Sequence, residues 1–200
     1  MRVLVACEFS GIVREAFRAR GHNAWSCDLC FAEDCGPHIR GDVLEHLGDG
    51  WDLMVAHPPC TDLAVSGAAW SKRKGAKRQE RALDFVRRLM DAPIEKIAVE
   101  NPVSVISTRI RKPDQVIQPW QFGHPETKAT CLWLKGLSPL KPTKEVEPDY
   151  MRREDGSYYR DSKGKRYSRI HCMSGRKSGR GRLRSKTYSG VAAAMAEQWG

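Results

Sequence analysis

Three short apolar runs constrain this chain more than any other feature: RVLVAC (Arg2–Cys7), WDLMVAH (Trp51–His57) and EKIAVENP (Glu95–Pro102). Each is a continuous stretch rather than an alternation, as in strands buried on both faces. Such strands need helices on either side, and helical patterns lie among them. SGIVREAFRARG carries Ile12, Val13, Ala16 and Phe17 at helical spacing and stops at Gly21. Lys77–Ala92 forms a second amphipathic pattern, with Ala82, Phe85, Val86 and Leu89 inward and arginines outward. NAWSCDL reads as a strand ending at Asp28, ATCLWLKGL as a late strand, and SGVAAAMAEQW as a C-terminal helix with a serine cap. Strands alternating with helices predict an open α/β sheet.

In such a sheet ligands bind beyond the carboxyl ends of the strands. The residues that close the strands here are Cys7 and Glu8, Asp28, His57 to Cys60, and Glu100 with Asn101. They are expected to meet on one rim.

Composition narrows the partner. The chain has 200 residues, a net charge of +10 and a pI near 9.4, with no apolar stretch of membrane-spanning length. The amino terminus meets Glu8 and Arg14 too early for a secretory leader. These features point to nucleic acid rather than membrane, and to a cytoplasm. The seven cysteines are then expected as thiols. From Lys141 to Lys186 fifteen Lys and Arg face six acids, a difference of +9, with Tyr150, Tyr158, Tyr159 and Tyr167 interleaved. No internal repeat stands out. This organisation predicts a core over 1–140, a basic nucleic-acid-binding insert over 141–186, and a C-terminal helix over 187–200 that packs back on the core.

The chemistry centres on HPPC (His57–Cys60). Two prolines fix two φ angles and remove two donors, so the strand stops and a stiff loop presents Cys60 at the sheet edge. A nucleophile benefits from such placement. Glu100 closes another strand forty residues on and can protonate a ring nitrogen there. In the turn ACEFSG, small Ser10 and Gly11 at the first helix start suit close approach of a cofactor. Asp28 fits a ribose-hydroxyl acceptor, and Asp42 in the next loop fits an adenine amino group.

Together, the F-S-G turn, the aspartate after strand two, PPC, and EN at this spacing resemble the DNA cytosine-5 methyltransferases, and the short phage-type members most of all. The resemblance runs from Val3 to the end of the chain. It implies a Rossmann-like, S-adenosylmethionine-dependent methyltransferase fold with a small basic insert. It implies an enzyme in which Cys60 adds to C6 of cytosine, Glu100 acts at N3, and C5 takes the methyl group of S-adenosylmethionine. On this likeness Cys7, Glu8, Phe9, Ser10, Gly11, Asp28, Asp42 and Pro58 hold the cofactor. Pro59, Asn101, Gln118, Lys128, Arg176, Arg180 and Arg182 meet a DNA substrate, with Asn101 orienting the loop beside it. A monomer without a metal is expected.

The chain also departs from that family. Its Q-x-R-x-R motif has no counterpart beyond QPWQFGHPETKAT, where Lys128 or His124 is left to supply positive charge. E-N-V is here E-N-P, and the large recognition domain is replaced by the basic insert. Two other readings stand beside the first: the same covalent chemistry on RNA or a free nucleotide, and an inactive methyltransferase-like DNA-binding protein. CDLCFAEDCGPH opens like a zinc knuckle but lacks a second pair. The tryptophans read as packing, with Trp70 after the Cys60 loop as the one candidate for base contact.

Overall fold

The computed structural model describes residues 1–64, 76–162, 164, 166–167 and 185–200. Seven strands form one sheet: β1 (Arg2–Ala6), β2 (Asn23–Asp28), β3 (His38–Arg40), β4 (Leu53–Ala56), β5 (Lys96–Pro102), β6 (Gln115–Ile117) and β7 (Thr130–Lys135). Their order is β3-β2-β1-β4-β5-β7-β6. The first five are parallel, and β7 runs antiparallel to both β5 and β6. The four described α-helices are α1 (Ile12–Ala19), α2 (Ala76–Met90), the single turn α3 (Ile106–Arg109) and α4 (Ser189–Trp199).

Strand alternation assigns the two faces. Val3, Val5, Leu53, Val55 and Ala98 share a core with Val13 and Phe17 of α1 and with Ala192, Met195 and Trp199 of α4. Leu4, Ala6, Met54, Ala56, Ile97 and Val99 pack on the other face with Leu83, Val86 and Leu89 of α2. The inward stripe of α2 therefore includes Leu83, while Ala82 and Phe85 are only partly buried.

Helix α4 spans the expected residues, but its cap position falls on Tyr188 and Ser189 is already helical. The Ser189 hydroxyl instead lies 3.3 Å from His124 Nε2. Lys141 and Gln198 exchange two hydrogen bonds, which fasten α4 to the chain after β7. Residues 144–149 lie along the 120–125 stretch, through Gly123 N to Lys144 O at 2.7 Å and Val146 N to Trp120 O at 2.9 Å. The predicted insert is thus still tied to the core through Asp149.

Beyond that point the chain forms a small meander with an eight-residue repeat. Met151, Tyr159 and Tyr167 close a ring of backbone hydrogen bonds, each donating to another at 2.9–3.0 Å. Arg152 donates to Gly156 O, and eight residues on Arg160 donates to Gly164 O. Both glycines have φ near +80° (81° and 79°), the left-handed conformation such a turn requires.

Candidate active site

The strand order reverses between β1 and β4, because β2 and β3 extend to one side and β4 and β5 to the other. The crevice at such a reversal is where an open α/β sheet binds ligands. The residues beyond the ends of β1 and β4 are Cys7, Glu8 and His57 to Cys60.

On the β1 side the backbone turns sharply, with Cys7 at φ 58° and Gly11 at φ 73°. Burial pushes the Cys7 thiol far above its ordinary range, and the charges of Asp28, Cys27 and Asp42 push it further. That electrostatic coupling brings the ends of β1 and β2 and the loop after β3 into one neighbourhood. Asp28 Oδ1 accepts from Cys30 N and Asp42 Oδ1 from Leu44 N, which holds both side chains on their own turns. Phe9 and Ser10 are half-buried in the turn between.

Glu8 does more than line this turn. Its carboxylate accepts from Val13 N at 2.7 Å and Arg14 N at 3.1 Å, with Ser10 Oγ at 3.3 Å. Glu8 therefore caps α1 in place of Gly11, which has no side chain to do so. The amides that sequence reasoning offered to a cofactor are already occupied. Gly11 is required here: a Cβ would collide with Arg14 and Asp34, on top of its positive φ.

Arg14 is fully buried, contrary to the outward place a helix pattern assigns an arginine. It ion-pairs with Asp34, bonds Glu15 at 2.9 Å and donates to Ser26 Oγ at 2.8 Å. It pins the 29–37 loop beside the turn after β1. In that loop Cys30 and Cys35 are exposed, whereas Cys27 is buried with its thiol pushed up to about 11 by burial and by Asp28 and Asp42. Among the described residues no three ligating side chains gather into a metal cluster.

On the β4 side, Ala56 is in register with Val99, so His57 and Glu100 follow as neighbours across the two strands. His57 Nδ1 lies 3.0 Å from Glu100 Oε2. Burial acts to raise the Glu100 carboxyl, but the His57 hydrogen bond and charge, with the charge of Lys128, outweigh it and hold the group below the usual carboxylate range. Asn101 is buried and its Nδ2 donates to Pro58 O at 2.8 Å. Pro58 is buried, while Pro59 and Cys60 are exposed. The Cys60 carbonyl accepts from Leu63 N at 3.0 Å and Ala64 N at 2.8 Å, closing a tight turn, and Val105 N bonds Leu63 O at 3.0 Å. Cys60 is thus fixed to the end of β5 as well as β4.

Glu100 opens into a narrow cleft walled by Ile117, Lys128, Thr130, Tyr188 and Val191. Lys128 Nζ stands 5.8 Å from the Tyr188 ring centroid. Of the two residues left to supply positive charge, Lys128 faces Glu100, whereas His124 Nε2 accepts from Gly190 N at 2.9 Å and is committed to α4. Gln118 lies farther along, its N bonded to Gln121 Oε1 at 2.7 Å. Cys60 does not line this cleft; it stands on the neighbouring loop. A larger cleft of about 350 Å³ between α2 and β7 contains none of the strand-end residues. Arg176, Arg180, Arg182 and Trp70 lie outside the described residues.

Sequence reasoning missed His57 as a partner of Glu100 and Arg14 as an internal brace. The signal for the first was a histidine at a strand end, without the register that gives it a neighbour.

No family model matches the chain, and no curated protein matches it. Among solved structures, the chain is similar to an E. coli protein described as a "putative DNA modification methyltransferase encoded within prophage", at 12% identity and a TM-score of 0.47 over 74% of this chain. The chain spans about half of that structure's length, 52%.

Proposed function

We propose that the chain transfers a methyl group from S-adenosylmethionine to C5 of cytosine in DNA, on a Rossmann-like methyltransferase fold, through a covalent bond to Cys60. The observation that carries this reading is the shared edge of β4 and β5. There a thiol on a proline-stiffened loop and a half-buried carboxylate stand at the ends of adjacent strands, joined by the Asn101–Pro58 hydrogen bond.

The residues on the β1 side fit the cofactor. Glu8 occupies the amides of α1, so that helix offers no cradle to a pyrophosphate. What remains is acidic: Asp28 and Asp42 at the carboxyl edge suit ribose hydroxyls, an amino group and a cationic ligand. A nucleoside sulfonium without phosphate meets that donor set better than a dinucleotide does. S-adenosylmethionine supplies the transferable methyl group when bound.

The Cys60 thiolate attacks C6 of cytosine and the electron pair moves to C5. The ring takes a proton at N3 from solvent, and the ionised Glu100 accepts a hydrogen bond from that N3–H, which stabilises the form that accepts a nucleophile at C6. After methylation at C5, loss of the C5 proton to water expels the thiolate, and N3 releases its proton to restore the neutral ring. A base inside a duplex must leave the stack to reach these groups, and the basic segment supplies attraction to the backbone.

The test is incubation of DNA with tritium-labelled cofactor and either the native protein or Cys60→Ala. Label in DNA that depends on Cys60 supports the proposal. Label in RNA or nucleotide alone moves the substrate, and salt-sensitive DNA binding without label leaves a binding protein. Duplex carrying 5-fluorocytosine is expected to trap a covalent adduct at Cys60, because fluorine cannot leave C5 as a cation.

A further inference from the structure

We propose that His57 is a positioning residue for Glu100: it holds one carboxylate oxygen, Oε2, and aims the group, so that Oε1 is left for the substrate. This deepens the reading above and rests on it for its substrate.

The ring is placed with little freedom. The His57 amide donates to Ala6 O at 2.9 Å, which anchors it between β1 and β4. Its side chain is 8% exposed, and Nδ1 lies 3.0 Å from Glu100 Oε2. Nε2 is buried and meets no hydrogen-bond partner among the described residues. A buried ring nitrogen left unsatisfied costs free energy that an apolar side chain of similar size would avoid. The position therefore makes sense for what Nδ1 does rather than for packing.

Among the described residues, the titratable groups around Glu100 are His57 after β4, Lys128 in the loop before β7, Cys131 on β7, whose thiol is raised by burial and by the Glu100 charge, and, on the wall of the cleft, Tyr188 and Lys186, the last paired with Glu33. Of these, His57 makes the direct bond. Removing it removes the larger part of what offsets burial, so the carboxyl then titrates at higher pH.

Two variants test this. His57→Phe keeps volume and removes the donor; His57→Asn keeps an N–H near the Nδ1 position without the ring. The Glu100 carboxyl is followed by carbon NMR in glutamate-labelled full-length protein, with Glu100→Gln giving the assignment. The expected result is a Glu100 titration moved to higher pH in the Phe variant and moved back toward the native one in the Asn variant. Methyl transfer at neutral pH is expected to fall at least about tenfold in the Phe variant. Its acid limb should shift upward, with partial rescue by Asn and an unchanged KM for the cofactor. Identical Glu100 titrations in native and Phe proteins would overturn the inference. If native protein transfers no methyl group, the proposed function fails while the titration still decides the role of His57.

Discussion

Asn101, at the end of β5, donates from Nδ2 to the carbonyl of Pro58, 2.8 Å away on the loop that follows β4. The side chain is 1% exposed, so this bond forms in a dry setting. It fixes the proline carbonyl two residues ahead of the candidate nucleophile. Asn101→Leu is expected to cost about 1–3 kcal/mol, since a buried acceptor is left unmet. The more telling effect is local. Alkylation of Cys60, read by peptide mass spectrometry, should change in rate while Cys30 and Cys35 stay as they were. Methyl transfer should fall with cofactor binding intact.

Arg14 and Asp34 make stability depend on pH in a defined direction. Burial acts to raise the Asp34 carboxyl, but its bonds to Arg14 and the Gly36 amide win and hold it below the ordinary range. A depressed carboxyl stabilises the fold above its unfolded value, about pH 4, and that contribution is lost as pH falls through the folded value. Asp34→Asn is expected to cost about 1–3 kcal/mol at neutral pH. That range is modest because Asp34 is 38% exposed and Glu15 still pairs with Arg14. In urea melts, native and variant proteins should converge once the carboxyl is protonated.

Much of the sheet was legible because its central strands are apolar runs that need no periodicity to be recognised. Asp28 ends β2 and His57 follows β4 as expected, whereas Glu100 lies within β5, which runs on to Pro102. The short strands β3 and β6, three residues each, carry no pattern long enough to read. Arg14 defeated the helical stripe because its charge is met by Asp34 and Glu15 rather than by water. The His57–Glu100 contact depends on strand register, which hydrophobic pattern does not specify where both faces are buried. The eight-residue repeat hid because only Tyr150 and Tyr158, Arg152 and Arg160, Gly156 and Gly164, and Tyr159 and Tyr167 carry it, amid changing residues.

The capped helix start leads to a cofactor prediction. With Glu8 bound to the Val13 and Arg14 amides, calorimetry is expected to show binding of S-adenosylmethionine and of its demethylated product, and none of a nicotinamide dinucleotide. Asp28→Asn removes the charge offered to ribose hydroxyls and should weaken that binding about tenfold, the value of one charge-assisted hydrogen bond. Tight binding of the dinucleotide would show that the α1 amides are free in solution and would remove the argument for a cofactor without phosphate.

The meander after Asp149 stacks guanidinium on phenol. Arg152 and Arg166 each lie 4.3 Å from the Tyr158 ring centroid, and Arg166 also lies 5.4 Å from that of Tyr150. At exposed sites each such pairing contributes about 0.5–1 kcal/mol, enough to hold a long side chain in place but not to neutralise it. The charges stay available to an anion. For a DNA backbone, the double variant Arg152→Gln, Arg166→Gln should weaken binding equally across sequences. It should also reduce the slope of log K against log salt by about 0.9 for each phosphate that is no longer neutralised. Tyr158→Leu keeps both charges and removes their support, so it should weaken binding with the salt slope nearly unchanged. If the double variant leaves affinity and slope alone, these arginines serve only to fold the meander.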